Sequence, residues 1–336
     1  MANPAFNVAD PIGLGFNTME IIACILALMG NSVMYFALRR LSAKHLEAEA
    51  RWLLVAPSFG DSIANIGTLT ACTARILFVI NTNLDHTFVW QCITTAVLAP
   101  TGMCFTNWAM VYVAGDRAAA VAAPVYYKTA NRFLILKVFL CADGVYSLMQ
   151  GLAFYYGINL SDYVSVHNCS MAAVTNVTIG ELYTAMTAML GTATICLYVA
   201  VIIASSARYR KSSASMQLQA DQFQKRQKNV QKIASQVMLC VIVFTILPNF
   251  ILYLAFAAGA SNTFRARACQ CIALSHAIGS IIYTATLCFR DTDIKNELQT
   301  IFGRSGGSNV YPGHGMLFTP TPGNSKRPSL RAFEAN

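Results

Sequence analysis

Two groups of side chains with distinct chemistry lie at the two ends of one uncharged stretch of the sequence. Cys92 carries a thiol, and the acid-base pair Asp116-Arg117 ends 25 residues after it. A thiol in an oxidising compartment forms disulfides, and a carboxylate beside a guanidinium forms a charge-assisted pair. A single helix would separate the two groups by roughly 37 Å, which exceeds the about 30 Å of a bilayer's hydrocarbon core. We therefore expect these groups at opposite faces of a membrane.

The composition of the 336-residue chain also indicates a membrane protein. Hydrophobic residues make up 55% and charged residues only 12%, whereas charged residues are about 25% of a soluble domain. The chain contains seven apolar segments. Each has at least the roughly 20 residues that a spanning helix needs. We predict an all-α bundle of seven transmembrane helices, at about 15–38, 52–79, 90–114, 133–157, 179–205, 234–258 and 268–288.

The distribution of positive charge predicts the orientation of this bundle. Of the 24 Lys and Arg residues, all but Arg75, Arg265 and Arg267 fall on one side of the predicted spans. The positive-inside rule makes that side cytoplasmic, with the N-terminus outside and the C-terminus inside. The excess of positive charge is thus explained by topology and by contact with anionic membrane lipid, and nucleic acid is not an expected partner.

The glycosylation sequons give the same orientation independently. The chain has sequons at Asn159, Asn168 and Asn176, all in the loop between spans 4 and 5, which the charge distribution puts outside. Glycosylation of these sites would be compatible with that side only.

Most of the eleven cysteines lie within predicted spans, where they are expected to pack as small apolar residues. Cys92 and Cys169 both fall at the predicted outer face, and a bridge between them would restrict the unfolded chain, typically by about 2–4 kcal/mol. Cys269 and Cys271 lie at or near the same face, so they are further candidates, either paired or free.

The order of motifs along these spans resembles that of the rhodopsin-like G-protein-coupled receptors. The matching residues are Gly30-Asn31, Asp61, Cys92, Asp116-Arg117-Ala118, Pro124, Tyr198, Pro248, Tyr283 and Phe289-Arg290. This resemblance implies a disulfide from Cys92 and a sodium or water site at Asp61. It also implies a switch for a heterotrimeric G protein built from Asp116, Arg117, Pro124, Tyr198, Pro248 and Tyr283.

Several positions depart from the rhodopsin-like pattern. Ala118 replaces the motif tyrosine, Ile246 stands where a tryptophan is usual, and Gly279-Ser280 replaces Asn-Pro. This combination looks most like the nematode serpentine chemoreceptors, and it implies a chemosensory receptor in the plasma or ciliary membrane. A neuropeptide-type receptor is the alternative within the same class.

Candidate ligand contacts are polar residues in the outer halves of the spans, where a mainly apolar pocket is expected. The positions that hold the amine-binding acid and the retinal lysine in other receptors are Ala99 and Ala273, which argues against a biogenic amine receptor and an opsin. A small molecule or a short peptide fits the remaining candidates, which are Arg75, Asn107, Glu181, Tyr183, Asn249, Tyr253 and His276.

Each candidate also has a structural interpretation. An acid inside a span costs about 2.5–3.5 kcal/mol on insertion scales, which favours a functional role for Asp61; the alternative is a hydrogen-bonded anchor for Asn31. Arg75 is equally compatible with a ligand contact and with a side chain that extends to the lipid headgroups. His276 fits a packed, hydrogen-bonded residue better than a ligand contact.

Other functional classes fit the sequence less well. A transporter would show internal repeats and several intramembrane charges, and an enzyme would need clustered histidines and carboxylates. The five histidines are dispersed, so we predict no metal site, no cofactor and no catalysis.

We divide the chain into an extracellular segment 1–14, the bundle 15–289, an amphipathic surface helix 290–302 and a disordered cytoplasmic tail 303–336. The tail is rich in Ser, Thr, Gly and Pro, and its phosphorylation would recruit arrestin.

Overall fold

The computed structural model describes residues 11–42, 48–82, 86–123, 127, 131–165, 169–212, 236, 239–290, 292–301 and 303. These residues form a bundle of long helices. The helices, in chain order, are α1 Pro11–Ser42, α2 Ala48–Thr82, α3 Val89–Ala96, α4 Leu98–Ala122, α5 Arg132–Ala153, α6 Met171–Val174, α7 Val177–Ser212, α8 Leu247–Ala257, α9 Asn262–Arg290 and α10 Thr292–Ile301.

Six stretches of the described helices are long and apolar enough to cross a membrane. They are Gly15–Arg40, Val89–Ala122, Arg132–Ala153, Val177–Ala204, Leu239–Ala257 and Asn262–Phe289. The remaining predicted span is α2, whose 35 residues are also long enough. It carries the polar residues Ser58, Asp61, Asn65 and Thr68, all of which are buried among neighbouring helices.

Prolines account for the two irregular spans. A proline lacks an N–H and its ring clashes with the carbonyl four residues earlier. In the third span α3 ends at Ala96, four residues before Pro100, and α4 continues after one turn residue. In the sixth span a π-helical segment, Ile242–Ile246, precedes α8, which has Pro248 in its first turn. A π-helical turn followed by proline makes the sixth span the best candidate for a hinge.

Small residues allow α2 and α4 to pack closely, as they do in many membrane helix pairs. A Cβ atom on Gly102 would lie 2.7 Å from Cα of Ala64 and 2.7 Å from the carbonyl oxygen of Gly60. The atoms it would meet belong to the backbone, so no side-chain rotation relieves the contact. The close α2–α4 approach therefore depends on glycine at position 102.

We expect Gly102→Ala to lower the melting temperature of the full-length protein, because overpacking costs about 1–3 kcal/mol. The control is Gly144→Ala on α5, where an added Cβ has no neighbour within 4 Å and the better helix propensity of alanine applies. Thermal unfolding of both variants in lipid nanodiscs checks this. An equal melting temperature for the two variants would contradict the packing argument.

A short two-stranded antiparallel sheet covers one end of the bundle, a departure from a purely helical fold. Strand β1 (His86–Phe88) pairs with β2 (Tyr163–Ser165), with Thr87 opposite Val164. We call this the cysteine end because Cys92 lies beside it, and we call the opposite end, with Arg117, the arginine end. At the arginine end α10 packs Ile294 into a core with Met34, Leu38 and Leu287, as expected for an amphipathic helix after the last span.

Candidate functional site

The cysteine end is held together by the bridge that the sequence suggested. Cys92 in α3 and Cys169 just before α6 form a disulfide, with their Cα atoms 5.4 Å apart. The guanidinium of Arg75 adds a second link, because its Nε donates to the carbonyl oxygen of Cys169 at 2.8 Å. Cys269 and Cys271 are not disulfide-bonded. The loop between the fourth and fifth spans is therefore fixed to both α2 and α3.

A cavity opens inside the bundle next to this bridge. It encloses about 710 Å³ of space, part of which is open to solvent. Three of the residues predicted from the sequence line it: Arg75, Tyr183 and Asn249. The hydroxyl of Tyr183 donates to the carbonyl oxygen of Pro100 at 3.2 Å, so this tyrosine joins α7 to the proline region of α4.

Glu20 is a cavity residue that the sequence interpretation missed. It lies in the first span, is 1% exposed, and lines the same cavity. One carboxylate oxygen, Oε2, accepts from Sγ of Cys72 at 2.8 Å and lies 3.7 Å from NH1 of Arg75. An acid inside an apolar span was the signal in the sequence that could have identified this residue.

The other predicted ligand residues lie elsewhere. Asn107 and His276 line a second cavity of about 560 Å³, together with Asp61 and Tyr283. Glu181 and Tyr253 line neither cavity. The seven candidates therefore do not form one site, and three of them contribute to the cavity at the cysteine end.

Asp61 is the centre of a buried polar cluster between four spans. Its Oδ1 accepts from the hydroxyl of Thr106 at 3.0 Å and lies 3.1 Å from Nε2 of His276. Asn31 lies in the adjacent network: Nδ2 donates to the Ser280 hydroxyl at 3.3 Å, and Oδ1 accepts from Thr284 at 2.8 Å. Ser280, which stands at the position of the proline in the rhodopsin-like Asn-Pro pair, thus joins α9 to α1.

At the arginine end, the carboxylate of Asp116 contacts three neighbouring side chains. Its Oδ2 lies 3.8 Å from NH1 of Arg117 and accepts from the hydroxyl of Tyr127 at 3.0 Å. Nε of Arg132 lies 4.0 Å from Oδ1, and the Arg132 guanidinium stacks on the Tyr127 ring at 4.1 Å from its centroid. Burial and the charge of Asp116 both raise the pKa of Tyr127, so this phenol stays protonated and donates.

We expect Tyr127→Phe to raise basal guanine-nucleotide exchange on a G protein. The hydroxyl helps to fix the Asp116 carboxylate beside Arg117. A hydrogen bond to a charged group contributes about 1.5–3 kcal/mol, or roughly tenfold or more in an equilibrium. The matched control is Tyr35→Phe, since Tyr35 is an exposed tyrosine on α1. Basal exchange by purified receptor in nanodiscs measures the effect. A rate that stays at the wild-type value would mean that Tyr127 does not restrain the pair.

A hydrophobic cluster packs between the spans next to this pair, on its side towards the cysteine end. Tyr198 of α7 and Val241 of the sixth span pack with Met110 and Ala114 of α4. Tyr283 of α9 packs against the same cluster. Both tyrosines expected around Arg117 are therefore brought together, in contact with the sixth span.

The remaining predicted positions are distributed as follows. Pro124 and Asn168 lie outside the described residues, as does the tail expected to bind arrestin. Asn159 and Asn176 are exposed at the cysteine end, and glycosylation there stays a prediction. Within the described ranges, no three His, Cys, Asp or Glu side chains gather in a way that could hold a metal ion.

A comparison with known protein families identifies the family of this chain. The family of serpentine type 7TM GPCR chemoreceptors, Srsx, matches residues 24–288. The chain belongs to this family. The match runs from within α1 almost to the end of α9. It includes the Asp116-Arg117 pair and every residue that lines the two cavities except Glu20.

The receptor is thus a multi-pass membrane protein of the G-protein-coupled class, in agreement with the resemblance read from its motifs. A search of curated proteins found no match. The family accounts for the general partners, an extracellular ligand and a G protein.

Proposed function

We propose that the receptor binds a small extracellular molecule in the cavity at the cysteine end. Binding would then be transmitted to a heterotrimeric G protein through a crevice that opens around Arg117. The cysteine end would face outside, because the positively charged residues concentrate towards the arginine end and the described sequons lie at the cysteine end. Helices from six spans line the cavity, with Phe154 at the end of α5. A ligand there would contact six of the seven spans, including the sixth span, which is the one proposed to move.

The observation that carries the proposal is the hydrophobic cluster above the Asp116-Arg117 pair. Val241 belongs to the sixth span, and it packs on Met110 and Ala114, which lie within two turns of Asp116. The packed arrangement corresponds to a closed form. An outward movement of the sixth span, hinged at the π-helical segment and Pro248, would separate Val241 from α4 and open a space lined by Tyr198 and Tyr283.

The ligand can only shift this equilibrium by its differential affinity for the two forms. Leu252 and Phe256, on the other side of Pro248, line the cavity. Contact with these two side chains links the ligand to the sixth span on one side of the hinge, and Val241 on the other side of the hinge closes the crevice. The proposed coupling is therefore mechanical, through one span with a hinge.

The test of the function is guanine-nucleotide exchange. Full-length receptor in lipid nanodiscs is mixed with purified G proteins of each α-subunit class, and GDP release is compared with that produced by empty nanodiscs. We expect acceleration of at least one class. Release at the empty-nanodisc rate for every class, with and without a broad panel of small molecules, would contradict the proposal.

A further inference from the structure

The cavity at the cysteine end contains a carboxylate with one unused oxygen. Oε1 of Glu20 is buried and has no hydrogen-bond partner among the described residues, although Oε2 is contacted by Cys72 and Arg75. A buried acceptor without a partner is costly, and the cost is removed when a donor arrives. Because Glu20 lines the cavity, a ligand can supply that donor.

The charges around the cavity indicate a neutral ligand. Of the described residues that line it, Glu20 and Arg75 are the charged ones, and they have opposite signs. Nε and NH1 of Arg75 already donate to Cys169 and Asn17. A ligand with its own net charge would be buried without a counter-charge, and such a charge is strongly disfavoured in a poorly solvated site.

The other side chains that line the cavity determine which kind of molecule fits around the hydrogen-bonding group. These side chains are mainly apolar, as illustrated by Met103, Phe154, Leu252, Phe256 and Ile272. The hydroxyl of Thr175 also lacks a partner among the described residues, and because it can donate or accept it does not restrict the ligand further.

We propose that the receptor recognises neutral, mainly apolar molecules with a hydroxyl group, and that this hydroxyl donates to Oε1 of Glu20. The inference rests on the proposed function, since it names the ligand class of the receptor's cavity. Alcohols and phenols belong to this class. Amines and carboxylic acids, which are charged at neutral pH, do not.

The test uses sets of compounds that differ in one group. Each carbon skeleton (linear, branched, cyclic and aromatic) is tested as the alcohol or phenol, its methyl ether, the amine and the carboxylic acid. Binding to full-length receptor in nanodiscs is measured by thermal shift and converted to Kd. A hydrogen bond to a charged group contributes about 1.5–3 kcal/mol, so the best-binding alcohol should exceed its own ether by roughly tenfold or more.

Variants then assign the effect to Glu20. We expect Glu20→Gln to reduce the preference for the alcohol over its ether severalfold, since an amide oxygen is a weaker acceptor than a carboxylate. Glu181→Gln makes the same chemical change on α7 outside the cavity, and it should leave the preference unchanged. The comparison of alcohol with ether on the wild-type receptor needs no variant, so it remains decisive if Glu20→Gln fails to fold.

Four outcomes would overturn the inference: equal binding of alcohols and ethers, tighter binding of amines or acids, no binding of any alcohol, or a preference unaffected by Glu20→Gln. Nucleotide exchange separates this failure from that of the proposed function. A receptor that drives exchange in response to amines or acids contradicts the ligand class alone. A receptor that drives no exchange contradicts the proposed function itself.

Discussion

A receptor with Arg117→Ala is expected to accelerate nucleotide exchange at least about tenfold less than the wild type. The guanidinium is a positive group next to the proposed crevice, and its side chain is 12% exposed beside Asp116. Contacts of a charged donor contribute about 1.5–3 kcal/mol, and about 1.4 kcal/mol corresponds to a factor of ten. Ligand binding, measured by thermal shift, should change little, because the cavity lies near the opposite end of the same span.

The control for this prediction is Arg40→Ala. Arg40 is an exposed arginine near the end of α1, where it stacks over Phe36, so its removal changes the net charge equally without touching the crevice. Exchange by Arg40→Ala should equal that of the wild type. If the Arg117→Ala receptor also accelerates nucleotide exchange as much as the wild type does, the proposed role of the arginine end is wrong.

Loss of the disulfide should have the largest effect on stability. Cys169→Ser removes a bridge between residues 77 positions apart, and such a bridge contributes about 2–4 kcal/mol, largely by restricting the unfolded chain. The same change loosens the backbone whose carbonyl accepts from Arg75. Both thermal stability and ligand affinity should therefore fall, and we expect less of the receptor to reach the cell surface.

Two further variants make this prediction specific. Cys92→Ser should lower the melting temperature by a similar amount, and the double variant should be little worse than either single one, because the two residues act as a pair. Cys141→Ser replaces an exposed free cysteine on α5 and should have little effect. Additive losses in the double variant would show that the two cysteines contribute separately.

The spans and their order were predictable from the sequence because their length is fixed by bilayer thickness. The apolar run before Asp116-Arg117 and the positions of Cys92 and Cys169 needed little more than counting along the chain. The interruption of the third span near Pro100 and the irregular sixth span near Pro248 also follow from local chemistry. These features depend on one segment at a time.

The composition of the cavity was less predictable because it depends on how each helix is rotated. In a soluble helix the apolar face marks the core, but the lipid side of a membrane helix is as apolar as its packed side. Depth along the span could therefore be read from residue numbers, whereas the facing direction could not. Glu181 and Tyr253 were assigned to the outer pocket for this reason, and they line neither cavity. Asn107 and His276 were assigned to the wrong depth, because they line the deeper cavity with Asp61.

Side-chain contacts between residues far apart in the sequence were the other feature that could not be predicted. Glu20 and Arg75 are 55 positions apart, and the sequence alone offered no reason to join them. Tyr127 likewise follows the predicted span, yet its hydroxyl reaches Asp116. The sequence had suggested the charge-assisted pair of Asp116 and Arg117, and the structure adds Tyr127 and Arg132 to the contacts of that carboxylate.

The most direct test of the mechanism is the distance between the third and sixth spans at the arginine end. Spin labels are placed at Ala119 and Leu239, both exposed, by a chemistry that does not use cysteine, because the chain has eleven cysteines. We expect the distance distribution to shift to longer values when nucleotide-free G protein binds, and to remain at the closed values in receptor without G protein. A distribution that is the same with and without bound G protein would contradict opening of the crevice around Arg117.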